Sequence, residues 1–257
     1  MLGAIIGDIV GSAYEFAPVK TAVFPLFTER SSFTDDTVMT IATADALLNG
    51  LSYADAYKKW GRRYPNPTGA YGGRFKEWLF SESIEPYHSF GNGSAMRVSP
   101  IGWAFATLEE TLAEAERSAA VTHDHPEGIK GAQAVAAAIF MARNGSSKKD
   151  IKAYIEQTFA YDLSRTIDDI RPTYQFNETC QGSVPESIIA FLESTSLEHA
   201  IRLAVSLGGD ADTQACIAGS IAEAYYRAIP EDMKQQARSL LPNDMLDVLD
   251  LFRAVTK

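Results

Sequence analysis

Two short acidic motifs about 175 residues apart each lead straight into an apolar stretch, and this pairing constrains the chain more than any other feature. The first is Thr34-Asp35-Asp36-Thr37, within SFTDDTVMTIATADALL. The second is Gly209-Asp210-Ala211-Asp212-Thr213, within LGGDADTQACIAGSIAEAYY. The alanine-rich sequence after each has helical periodicity, so both motifs fall on the first turn of a helix. One Asp or Thr there is an ordinary cap, favoured by the helix dipole. Paired carboxylates exceed that need, and crowded carboxylates repel unless something cationic lies between them. Together the motifs offer four carboxylates and several hydroxyls. Such hard oxygen donors suit Mg²⁺, Mn²⁺ or Ca²⁺, not zinc or copper.

The rest of the chain reads as helices joined by short breakers. Gly3, Gly7 and Gly11 recur every four residues and share one helix face. Glycine weakens a helix, so three in register predict close approach of a second backbone. Helices are predicted over 36–49 (ended by Asn49-Gly50), 53–63, 74–80, 107–120, 128–145 and 148–159. The breaker-rich 64–73 carries no element, and 89–102 is a glycine-rich turn entering a short helix. Residues 161–183 lack periodicity and form the longest irregular stretch. Pro185 is expected at the first position of a helix running to about 194. Ser196 caps the next, which runs to Leu207, and helices over 212–228, 230–240 and 243–255 complete the chain. Strand signals are nearly absent, so the fold class is all-α. With no repeat or linker, one domain over residues 1–257 is expected.

Composition excludes several functions. A chain of 257 residues with 46% hydrophobic content can build a full core. Its 23 Lys and Arg against 33 Asp and Glu give a formal charge of −10. That balance argues against binding nucleic acid through a basic surface. Cys180 and Cys216 form neither a metal-ligand spacing nor a disulfide framework and read as buried small side chains. No apolar run approaches the ~20 residues a bilayer needs. The opening MLGAIIGDIVGSAYEF lacks a basic leader and is interrupted by Asp8. The chain is expected to be soluble and cytoplasmic, without membrane attachment.

Taken in order, GAIIGDIVGSAYEF, FTDDTVMT, SFGNGSAMR, THDHPEGIKGA and GGDADTQACIAG resemble the ADP-ribosylglycohydrolase family, over about residues 3 to 225. Each piece alone is weak, whereas the ordered set is specific. The resemblance implies a compact single-domain orthogonal helical bundle with two Mg²⁺ (or Mn²⁺) ions in a central cleft. The implied metal ligands are Thr34, Asp35, Asp36, Asp210, Asp212 and Thr213, in agreement with the oxygen-donor argument. Implied catalytic residues are Glu15, beside the scissile bond, and Asp36, which would orient or deprotonate the attacking water. Ser89, Gly91, Asn92 and Gly93 would hold a diphosphate and the adjacent ribose. Physically, Gly91, Gly93 and the small Ser94 permit a tight turn whose N–H groups can face an anion. Phe90 would stack on adenine, its competing reading being a core aromatic. His123 would reach a phosphate near the helix start at Pro126. Arg97 reads as a structural ion-pair partner.

The implied activity is removal of ADP-ribose from a modified protein side chain. The N- or O-glycosidic bond would cleave through an oxocarbenium-like transition state, with the metals lowering the pKa of water. Arginine is the favoured linkage; serine-linked and O-acetyl-ADP-ribose are alternatives. Two other classes compete. A metal-dependent nucleotide phosphohydrolase would use the same paired metals, but SFGNGS and Glu15 favour the glycosidase. An inactive ADP-ribose-binding relative would show broken ligand motifs, and both are intact. The chain is short for the family. Segment 161–183, with Tyr161, Asp168, Asp169, Tyr174 and Phe176, is expected to border the mouth and to suit an arginine guanidinium.

Overall fold

Helices supply the regular structure of the computed structural model, which describes residues 1–256. In chain order they are α1 (Leu2–Ser12), α2 (Asp35–Asn49), α3 (Tyr53–Arg63), α4 (Gly73–Phe80), α5 (Gly93–Met96), α6 (Ser99–Ala104), α7 (Leu108–Ala120) and α8 (Pro126–Arg143). Then follow α9 (Lys148–Phe159), α10 (Ile167–Ile170), α11 (Cys180–Glu193), α12 (Leu197–Val205), α13 (Ala211–Tyr226), α14 (Glu231–Ser239) and α15 (Asn243–Val255). The fold is all-α, as the sequence predicts. Among the described residues no strand forms, and the two isolated bridges join Thr34 to Thr68 and Gly91 to Thr179.

The glycine register decides how the two acidic motifs meet. Every residue of α1 is buried. A Cβ built on Gly3, Gly7 or Gly11 would land on the carbonyl of Gly219, Ala215 or Ala211, respectively. The two backbones therefore touch along one face, and the order of the pairs makes α1 and α13 antiparallel. The last turn of α1 meets the first turn of α13. Glu15, just beyond α1, is thereby delivered to the second motif.

Asp8 ties α2 to the same pair. Its buried carboxylate accepts from the N–H of Thr34 at 3.0 Å and its hydroxyl at 2.7 Å. It also accepts from the N–H of Thr37 at 3.1 Å and from the Thr37 hydroxyl. A buried carboxylate is tolerable only when satisfied in this way. The first turn of α2, which is the first acidic motif, is thus fixed against α1. At the far end Gly50 adopts φ 64°, a left-handed cap that a Cβ would strain.

Around this pair α8 packs against α5, α6, α7, α11 and α13 with an alanine-rich buried surface. It begins two residues before the predicted 128, because Pro126 takes the first position and the His125 ring accepts from the Glu127 N–H at 3.1 Å. Buried apolar side chains from Met1 to Phe252 join in one connected core. Cys180 and Cys216 are buried and free. No helix among the described residues is long and apolar enough to cross a membrane.

Two expectations are corrected. Pro185 does not open α11: Thr179 caps it, and Pro185 lies inside Cys180–Glu193. Hydroxyls reinforce this first stretch, Ser183 donating to the Thr179 carbonyl at 2.7 Å and Ser187 to the Ser183 carbonyl at 2.8 Å. The loss of one backbone hydrogen bond at proline is absorbed near the helix start. The stretch 161–183 is also not irregular throughout. It is interrupted by α10, opened by a reciprocal cap between Thr166 and Asp169, and ends at the start of α11.

Candidate active site

Both acidic motifs open onto one cleft of about 600 Å³, a volume suited to a small-molecule ligand. Glu15, Asp35, Asp36, Asp210, Asp212 and Thr213 line its acidic part. Carboxylate oxygens of Glu15, Asp210 and Asp212 lie within 4.8 Å of one another. Asp36 reaches this group through Thr213, whose hydroxyl donates to Asp36 Oδ2 at 3.2 Å. Asp210 accepts from the Asn92 side-chain amide at 2.7 Å, and Asp212 from the Thr213 N–H at 2.9 Å. Thr34 is turned elsewhere: its hydroxyl donates to Asp8 and accepts from the Asp36 N–H, and it is not among the cleft-lining residues.

The carboxylates strain against one another. Burial, and then the charges of Asp212 and Asp8, hold Asp35 and Asp36 well above the usual carboxylate range. Burial and the neighbouring Asp210 do the same to Asp212. Asp210 is raised by burial and pulled back by its hydrogen bonds. Glu15 is pushed up to about 8 by burial first, and then by Asp212 and Asp8. Two buried oxygens, Asp36 Oδ1 and Glu15 Oε2, have no hydrogen-bond partner. A buried acceptor left unmade costs about 1–3 kcal/mol. An all-oxygen set that is convergent, mutually repulsive and short of donors fits a hard divalent cation.

The remaining wall comes from three loops. The turn 89–93 lies against 178–180: the Asn92 N–H donates to the Glu178 carbonyl at 2.8 Å and the Cys180 N–H to the Phe90 carbonyl at 2.9 Å. Ser89, Phe90, Gly91, Asn92 and Gly93 all line the cleft. The N–H groups of Gly91 and Asn92 are directed within the protein, to Ser89 Oγ at 3.1 Å and to Glu178. Phe90 is 44% exposed and meets His125 edge-on at 5.3 Å between centroids, so it is not a core aromatic. His123 is buried at the cleft wall, with Nδ1 2.7 Å from the Thr122 hydroxyl. Burial, then Arg97 and Arg74, hold its pKa well below the ordinary histidine value.

Arg97 corrects the sequence reading in its chemistry. It is structural and 1% exposed, but no carboxylate pairs with it among the described residues. It donates to the Ser118 carbonyl and the Thr122 hydroxyl, each at 2.9 Å, and lies 4.1 Å over the Tyr57 ring. Segment 161–183 borders the cleft only at its end. Phe176, Glu178 and Thr179 line it, whereas Asp169 caps α10, Asp168 pairs with Arg171 at 2.6 Å and Tyr161 is buried.

Other lining residues were not anticipated: Gly69 to Phe75, Tyr87 and Met96. The bridge from Thr34 to Thr68 draws this loop over the first motif. Gly69 adopts φ 80°, and a Cβ there would stand 3.0 Å from Glu15 Oε2. The density of glycine and proline in 64–73 was the available signal.

An all-α body with an oxygen-lined cleft between helix starts narrows the class, and the sequence comparisons place the chain within it. The family model for ADP-ribosylglycohydrolase matches residues 1–256, and the chain belongs to that family. The chain is similar to the mouse ADP-ribosylhydrolase ARH3, 28% identical over 328 aligned positions covering 96% of this chain and 88% of the mouse protein. That alignment is longer than the 257-residue chain, so the mouse protein carries insertions relative to it. It is also similar to the ADP-ribosylarginine hydrolase Tri1 of Pseudomonas putida, 27% identical over 88% of this chain and 69% of that protein. A solved ADP-ribosylglycohydrolase-related protein complex shares the fold, with a TM-score of 0.74, 24% identity and coverage of 99% of this chain and 95% of that one.

Proposed function

We propose that this chain is a divalent-metal-dependent hydrolase that releases ADP-ribose from a modified protein side chain by cleaving the glycosidic bond. The observation that carries the reading is the convergence of Glu15, Asp35, Asp36, Asp210 and Asp212 on one cleft, raised in pKa and short of partners. Family membership supplies the substrate class. Asp35, Asp36, Asp210, Asp212 and Thr213 would hold two Mg²⁺ (or Mn²⁺) ions, with Thr34 supporting them through Asp36. Bound there, the cations would offset the carboxylate charge and polarise sugar hydroxyls and water.

The chain's own groups do the rest. Glu15, whose carboxylate lies within 4.8 Å of those of Asp210 and Asp212, faces the scissile bond and handles the proton of the attacking water or the leaving group. Asp36 orients that water from the other side. The negative field of both favours the positive charge of an oxocarbenium-like transition state. Ser89, Gly91, Asn92 and Gly93 hold the diphosphate and adjacent ribose by side-chain and close backbone contact. His123 reaches a phosphate, and the exposed Phe90 ring takes the adenine. Arginine is our favoured linkage, supported by the name of the Pseudomonas relative.

Parallel incubations with arginine-linked, serine-linked and O-acetyl-linked ADP-ribose under Mg²⁺ test this reading. Release of free ADP-ribose, fastest from arginine, is expected. Release of AMP would establish a phosphohydrolase instead, and no product from any linkage would favour a binding protein.

A further inference from the structure

Among the described residues the fully buried Arg97 pairs with no carboxylate, yet it touches the Thr122 hydroxyl that touches His123. Arg97 Nη2 donates to Thr122 Oγ1 at 2.9 Å, and Thr122 Oγ1 lies 2.7 Å from His123 Nδ1. Both Arg97 and Thr122 are closed to solvent. A guanidinium can only donate, so it takes a lone pair of the Thr122 oxygen. That oxygen has one proton, and His123 Nδ1 is the acceptor within reach. Were Nδ1 protonated instead, the threonine proton would be buried without a partner, at a cost comparable to a lost hydrogen bond. Nδ1 is therefore the bare nitrogen. In a neutral ring the proton then sits on Nε2. Nε2 faces the glycine turn, where a Cβ on Gly93 would stand 3.2 Å from it and one on Gly91 3.6 Å.

We propose that Arg97 and Thr122 are positioning residues that fix His123 as the neutral Nε2–H tautomer and aim that N–H into the cleft beside Gly91 and Gly93, as a donor to an anionic oxygen of the ligand. The donor role rests on reading the cleft as an ADP-ribose site, whereas the tautomer does not. The glycines at 91 and 93 leave the approach to Nε2 open, so an oxygen of the diphosphate can come within hydrogen-bonding range. A neutral donor needs no proton uptake before the ligand binds.

Ring ¹⁵N–¹H correlation NMR on the ligand-free wild-type protein reads the tautomer directly, with only four histidines to assign. A protonated Nε2 and a bare Nδ1 are expected at His123, and a proton on Nδ1 would overturn the proposal. Thr122→Val removes the hydroxyl at nearly constant volume, and Thr122→Ser keeps it. The valine variant is expected to show mixed tautomers and to lose ADP-ribose affinity in proportion to the Nε2–H form lost, about twofold for an even mixture. The serine variant is expected to retain both properties. Unchanged tautomer and affinity in Thr122→Val would overturn the relay. If the wild type bound no ADP-ribose, the reading of the cleft would fail, while the wild-type spectrum would still decide the tautomer.

Discussion

Glu15 is held differently from the aspartates it faces. Those lie at the first turns of α2 and α13, whereas Glu15 stands on the turn after α1, half-buried, with Oε2 unpartnered beside Gly69. A group that acts mainly in the transition state lowers kcat and kcat/KM together when removed. Glu15→Gln is accordingly expected to lose most of its turnover in steady-state kinetics. ADP-ribose affinity should change by less than about tenfold, ~1.4 kcal/mol. Loss of bound metal in this variant would instead make Glu15 a ligand, as its closeness to Asp210 and Asp212 allows. Phe90 tests the other half of the cleft. Phe90→Ala should weaken ADP-ribose binding by about 1–3 kcal/mol in titration calorimetry, the scale of base stacking on an aromatic ring. An unchanged affinity would remove the stacking role. At this scale the sequence was readable where a cleft-lining side chain sits in a recognisable motif, as for Glu15, Asn92 and His123, and silent for Tyr71 and Tyr87, which no motif marks. It was misleading for Arg97, because charge implies an ionic partner, and only the fold places Tyr57 and the Ser118 carbonyl around it.

The α1–α13 contact is the element on which the acidic cluster depends. With backbone on backbone at Gly7, any side chain must push the helices apart. Gly7→Val is expected to destabilise the protein by at least about 3 kcal/mol, the upper range for overpacking. Chemical denaturation measures this, with Gly72→Ala as the control, since nothing lies within 4 Å of a Cβ there. Equal stability of the two variants would contradict the close packing. The glycine spacing made this contact legible, because only a near backbone explains three glycines on one face. The role of Asp8 was not legible. In sequence it merely interrupts an apolar run, and its four donors come from residues 34 and 37, across a loop. Pro185 was misread because its preference for a first helical position is a local rule. The Thr179 cap and the serine hydroxyls of the first turns outweighed it.

For the molecule as a whole, the cluster couples charge to stability. Without cations, Glu15, Asp35, Asp36 and Asp212 hold protons in the native state that the unfolded chain has already released. Stability then falls as pH rises, from the ordinary carboxylate range up to the native value, about 8 for Glu15. His123 acts in the opposite sense, since its native pKa is lowered, but only below its ordinary value of 6.5. The buried terminal ammonium of Met1, lowered by burial, also opposes. Thermal melts in chelator should therefore show lower stability at pH 8 than at pH 6.5. Added Mg²⁺ should raise the melting temperature, and more so at pH 8. The reverse pH trend would mean that the carboxylates are not crowded in solution. The most direct measurement of the central claim follows free ADP-ribose released from an arginine-ADP-ribosylated protein as Mg²⁺ is titrated into chelator-treated enzyme. The account predicts a saturable rise from near zero, with ADP-ribose as the product. Full release in excess chelator, or AMP in place of ADP-ribose, would contradict it.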